Sequence, residues 1–291
     1  MEIRRLLGRA TVSLLVLAPM AVLPQSVIER VPDASLAMRA LAAELSNADH
    51  VQHPMRYLLR RSTPRLTTTK EICESKDGAV ARLIEVNDQP LSRADEHKEQ
   101  ARLTALLRDP NRQLHRKQSQ DSDTRRILKV LRALPNASIY QYAGTGTGPT
   151  GRIEKFTFKP NPKFDAQDLE TLPLTEMTGE IWIDAAQERV TRLEGHLQDD
   201  VDFGWGILGR LYKGGWIVIE QAEVSPRQWR IVRIQLKMNG RLLFANKAFD
   251  TLQEQKQFAP VPVGLSYVQA IHLLHDGSET GEPEAASHDL R

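Results

Sequence analysis

What the chain lacks narrows the reading before anything it contains. A single cysteine, Cys73, occurs in 291 residues, so no intramolecular disulfide is available to hold the fold. Aromatic residues make up 5% and do not interleave with the basic ones, which removes the stacking platforms of single-strand nucleic-acid binders. The formal net charge is +2, so no single-sign field draws in nucleic acid or an anionic membrane. No GxSxG, HExxH or GK[ST] occurs, so a nucleophile elbow, a paired-histidine metal site and a phosphate loop all lack their sequence signature. No cofactor or metal is called for.

What is present suffices for a core, with 41% hydrophobic and 26% charged residues. Arg4, Arg5 and Arg9 precede an apolar run at 10–23. That is the layout of an export signal, and it is shorter than the roughly 20 apolar residues of a permanent span. Residues 1–25 are therefore expected to be removed, with cleavage between Ala21 and Gln25. No cysteine follows this run directly, so the mature chain is expected to be periplasmic or secreted, without a lipid anchor or an integral span.

Residues 32–47 have a helical pattern, with Asp33 as cap and Ala37, Leu41 and Leu45 on one face. Strand-like stretches follow at 55–61, 66–74 and 79–86, with Asp77-Gly78 as a turn. A helical insertion occupies about 91–135. Ser92 and Asp95 form a capping-box pattern, Asp109-Pro110 interrupts, and a second helix is clearest at 121–134 and ends at Pro135. Its apolar face carries Ile127, Leu128, Leu131 and Leu134; Arg125, Lys129 and Arg132 line the other side.

Beyond 137 nearly everything reads as strand: 139–143 and 153–159 around a glycine loop at 144–151, a hairpin at 178–197, then 201–213, 216–224, 229–239 and 242–249. Asn239-Gly240 is a hairpin signal. Val232, Ile234, Leu236 and Met238 alternate with polar residues, and Phe203, Trp205, Ile207 and Leu211 repeat the device. Residues 261–275 fit a strand or a short helix, and the polar tail 276–291 is expected to be disordered. Residues 26–275 are expected to form one domain.

Several short stretches invite a chemical reading. "GTGTGPTG" at 144–151 is followed by a strand pattern rather than a helix, so a hairpin loop fits better than a phosphate cradle. "QDDVD" at 198–202 lacks the glycine and distal glutamate of a calcium loop and reads as a solvated turn. His272 and His275, at i and i+3, could share a helical face but read as surface histidines, and Cys73 reads as a small half-buried residue. The chain is expected to bind rather than to catalyse.

The stretches "KFTFKPNPKFD", "MTGEIWIDAAQERVTRLEGHLQDDVDFGWGILGRLYKGGW" and "EQAEVSPRQWRI" resemble uncharacterised exported bacterial proteins of the LolA/LolB-like superfamily, over roughly residues 33–258. The resemblance implies an α+β fold: a strongly curved, unclosed antiparallel sheet, half-barrel-like, with helices in its concave face. It also implies an apolar cavity that holds a lipid or the acyl chain of a lipoprotein. The candidate sheet wall is then Phe203, Trp205, Ile207, Leu211, Val232, Ile234, Leu236 and Met238. The candidate helical cover is Leu41, Leu45, Ile127, Leu131 and Leu134. The alternative is an envelope interaction module whose core is filled by its own helices, docking another envelope protein through Arg125, Lys129 and Arg132.

Overall fold

A computed structural model describes residues 33–49, 53–204, 208–243 and 245–276. The leader at 1–25, Trp205, Ile207 and the tail beyond Asp276 lie outside the described residues. Helix α1 (Ala34–Asp49) opens the domain, and the Asp33 carboxylate accepts from the Ser35 amide at 2.9 Å. Three strands follow, β1 (Met55–Ser62), β2 (Thr67–Cys73) and β3 (Val80–Val86), with a two-residue strand β4 (Gln89–Pro90). Next come α2 (Arg93–Leu107) and α3 (Pro110–Ala137). The long meander comprises β5 (Ser138–Gly148), β6 (Gly151–Pro160), β7 (Met177–Asp184), β8 (Arg189–Leu197), β9 (Val201–Phe203), β10 (Gly209–Leu211), β11 (Trp216–Ser225), β12 (Gln228–Leu242) and β13 (Ala245–Pro260). Helix α4 (Tyr267–Asp276) closes the described chain.

All thirteen strands join one unclosed antiparallel sheet, ordered β4-β3-β2-β1-β13-β12-β11-β8-β7-β6-β5, with β9 and β10 attached beside β12. The α+β curved sheet expected from the sequence is therefore present. Cross-strand partners share a face. The register Phe158–Gly179–Gly195–Ile217–Leu236 therefore runs along one side, and Tyr57 and Ile72 lie opposite each other further along the sheet. At Gly179 a Cβ would stand 1.8 Å from the Glu194 carbonyl oxygen, and at Gly195 it would stand 2.5 Å from the Met177 sulfur. Two paired residues without side chains let the inner face coil tightly here.

Helices cover both faces. Helix α1 and the C-terminal half of α3 pack over β5–β8, burying Leu41, Leu134, Phe156, Phe158 and Ile181 in one core. Cys73 and Val80 are a cross-strand pair on the side away from Tyr57 and Ile72. Against that outer side α2 and α4 bury Leu103, Leu106, Ile271 and Leu274 as a second core. The segment at 261–275 thus resolves as a loop and helix, because Ala270, Ile271 and Leu274 bury one helical stripe.

Other local expectations are corrected. Helix α3 begins at Pro110, with Asp109 accepting from the Arg112 amide at 3.0 Å, and it continues through Pro135 to Ala137. Proline in the last turn forfeits one backbone bond, too little to stop a helix whose Leu134 and Ala137 are buried. The glycine stretch at 144–151 is mostly strand, turning only at Pro149-Thr150. The single strand expected at 201–213 is a pair of short strands, β9 and β10, folded on each other after Gly204 at φ 54°. Asn239-Gly240 is not a turn: both residues pair inside the β12–β13 ladder, and β12 runs on to Leu242. Gly240 is required instead by close approach, since its Cβ would lie 2.5 Å from the Arg210 carbonyl of β10.

These contacts separate two kinds of glycine. Gly179→Ala meets backbone and should lower unfolding free energy by about 3 kcal/mol or more. Gly214→Ala meets nothing within 4 Å but must hold φ 79°, and should cost about 1–2 kcal/mol. Urea unfolding of the two variants checks the order.

Candidate functional site

The described core leaves space between α3 and the inner sheet face. Helix α3 has 28 residues, about 42 Å at 1.5 Å per residue, and it is fixed at both ends. Near its start the Gln113 side chain donates to the Asp77 carbonyl at 2.9 Å. Gln120 accepts from the Ala79 amide at 2.9 Å and donates to the Ala79 carbonyl at 3.2 Å. Its far end leads directly into β5, where the Tyr140 hydroxyl donates back to the Leu134 carbonyl at 3.1 Å. Between these anchors lies a cavity of about 980 Å3.

Its floor is the inner sheet face, with Leu193, Ile217, Ile219, Ile231, Met238 and Phe258; its cover includes Leu41, Ile127, Leu128, Leu131 and Leu134. Ile127 and Val263 are 62% and 67% exposed, so the cavity opens to solvent beside them. Tyr57 stacks on Phe258 with ring centroids 5.2 Å apart. Burial, then the nearby Glu74 charge, pushes the Tyr57 phenol up to about 12 against the pull of Arg230. It therefore presents a neutral hydroxyl.

Most charged groups in the wall are tied to partners. Glu44 and Arg189 form a bidentate pair at 2.8 and 2.9 Å, both side chains 9% exposed, and Glu44 also accepts from the Val190 amide at 3.1 Å. This pair joins α1 to β8. The Arg189 guanidinium also lies over the Trp229 ring, 5.4 Å from its centroid. Glu74 accepts from the Met55 amide at 2.9 Å and pairs with Arg230 at 3.3 Å, and Lys117 pairs with Asp121 at 2.8 Å.

The candidate wall residues distribute unevenly. Leu41, Ile127, Leu131, Leu134 and Met238 line the cavity. Ile234 and Leu236 pair with Ile219 and Ile217 and so share their face, half-buried beside the space but not lining it. Val232 falls at a bulge, where Glu220 pairs with Arg233 and Gln221 with Ile231; the shift gives Ile231 the inward place. Phe203 and Leu211 pack against the first core, since β9 and β10 fold on each other rather than extend the floor. Leu45 is half-buried off the wall, because α1 turns Leu41 and Glu44 toward the cavity to reach Arg189. The floor on β11, Ile217 and Ile219, was readable as strand but not as wall: that assignment depends on which strands neighbour β11.

The basic stripe is committed to its own chain. Lys129 pairs with Asp168 at 2.8 Å and Glu170 at 3.8 Å, Arg125 donates to Ser122 at 2.8 Å, and Arg132 also has a partner. Asp200 and Asp202 bind Arg210, which makes the acidic stretch at 198–202 a pinned turn. His272 and His275 both fall on α4. Among the described residues no group of three metal-ligating side chains converges, and no helix is long and apolar enough to cross a membrane.

Comparison with known proteins gives no match among family models, curated proteins or solved structures.

Two outcomes follow from this geometry. Arg189→Met should cost about 3–5 kcal/mol by stranding the buried Glu44 charge, and adding Glu44→Leu should recover most of it, measured by thermal or urea unfolding in a double-mutant cycle. Cys73 is fully buried, and burial pushes its thiol up to about 11. A thiol reagent at pH 8 should leave the native protein unlabelled and modify one cysteine after denaturation.

Proposed function

We propose that this protein is a non-catalytic carrier that holds a lipid-like ligand, or the acyl chain of a lipoprotein, between α3 and the inner face of the sheet. The observation that carries the reading is the cavity of about 980 Å3, with an apolar floor and an apolar helical cover. This volume lies at the upper end of the roughly 300–1,000 Å3 of small-molecule sites. Sinking a 14-carbon chain into such a space gains up to about 11 kcal/mol, at about 0.8 kcal/mol per methylene. Association costs of about 4 kcal/mol or more are subtracted from that gain. No reacting group is required, and Glu44, Arg189, Glu74, Arg230, Lys117 and Asp121 of the wall already have partners.

The likeness of the stretch around 155–230 to the LolA/LolB-like superfamily supports the same reading, as does the signal-like run at 10–23. A carrier in the periplasm would move an acyl chain through water, and a cavity with an open mouth suits that task. The competing reading, an interaction module with a filled core, is less well supported, because the space under α3 is open and the basic stripe is engaged internally.

A blocking substitution tests the reading. Ile219→Trp and Leu131→Trp each place bulk in the cavity. Wild type should bind N-phenyl-1-naphthylamine saturably and release it to a 16-carbon fatty acid. Each variant should bind at least tenfold more weakly with a melting temperature close to wild type. Absence of saturable binding by wild type, or unchanged binding by both variants, would contradict the carrier.

A further inference from the structure

The two ends of the sheet are built differently. At one end β4 has two residues and contains Pro90, a short, proline-bearing edge of the kind that discourages pairing with another chain. At the other end β5 runs for 11 residues, and among the described residues only β6 pairs with it. Its sequence, SIYQYAGTGTG, contains no charged residue. Every other described strand of three or more residues carries at least one Asp, Glu, Lys or Arg. Charge is thus missing at the edge, where it is most useful against association.

We propose that the free edge of β5 is a self-association surface, on which a second copy of this chain adds its own β5 antiparallel to form a two-fold dimer with a continuous sheet. The neutrality argues for a second copy over a foreign strand. In a two-fold antiparallel pairing each residue meets one from the same short segment, so a single charge type would face its own sign. A foreign strand imposes no such limit and is commonly selected by opposite charge.

The bulge between Tyr142 and Gly144 divides the strand and leaves Gly144–Gly148 as a regular stretch paired to β6. Centred on Gly146, the two-fold sets Thr145 of one copy against Thr147 of the other and Gly144 against Gly148. Both threonines are exposed, and threonine pairs stabilise antiparallel neighbours.

Light scattering and sedimentation of the purified protein test this independently of any lipid. Wild type should have twice the monomer mass. Thr145→Lys/Thr147→Lys should weaken the dimer at least tenfold with an unchanged melting temperature, whereas Gln89→Lys at the opposite edge should leave it intact. Mixing the lysine pair with Thr145→Glu/Thr147→Glu should restore a heterodimer, which a merely misfolded variant cannot do. A monomeric wild type, a dimer indifferent to the lysine pair, or a mixture that stays monomeric would overturn the proposal.

Discussion

The rest of the structure depends on one steric constraint at the middle of the sheet. Gly179 and Gly195 face each other across β7 and β8, and the Glu194 carbonyl occupies the place of a Gly179 Cβ. With no side chains on that stretch of the inner face, the sheet coils around α1 and packs Phe158 and Met177 into the bend. A flatter sheet would pack less well against helices. Beyond the first core, the β11–β13 part of the inner face lines the cavity beneath α3.

The cavity follows from how the helices are shared out. Helix α1 fills the concave side over β5–β8, and its Glu44 is bound by Arg189. Helices α2 and α4 cover the outer side of β2 and β3. Among the described residues, only α3 spans the remaining concave surface. It is held at one end by glutamine bonds to the Asp77–Ala79 turn and at the other by its continuation into β5. A helix anchored at its ends cannot sink onto the floor between them, so Ile217, Ile219, Ile231 and Phe258 line an open space beneath it. Interiors normally close such gaps; here the anchoring keeps one open.

The elements that local pattern determines were legible in the sequence. Asp33 and Ser92 mark helix starts, Asp109-Pro110 marks the break between α2 and α3, and the hairpin at 178–197 turns where its polar residues stand. Binary alternation also put Ile234, Leu236 and Met238 on one face of β12, and the helical stripe put Leu131 and Leu134 on one face of α3; that these faces meet the cavity follows from the pairing with β11. Features set by non-local pairing were not legible. Gly240 looks like a hairpin glycine but serves the approach of β10, the glycine-threonine run looks like a loop but is an edge strand, and Val232 loses its place to Ile231 through a bulge. The Glu44–Arg189 pair spans 145 residues of sequence, and no local spacing announces it.

The central claim is that the space under α3 is a ligand site rather than a packing defect. Native mass spectrometry and lipid extraction of the protein recovered from a bacterial periplasm address this most directly. The wild-type protein should carry a roughly stoichiometric amphiphile with one or more long acyl chains, and should lose it when Ile219 or Leu131 is replaced by Trp. Wild-type protein that is free of lipid as isolated, and that takes up none when presented with acylated lipids, would contradict that claim.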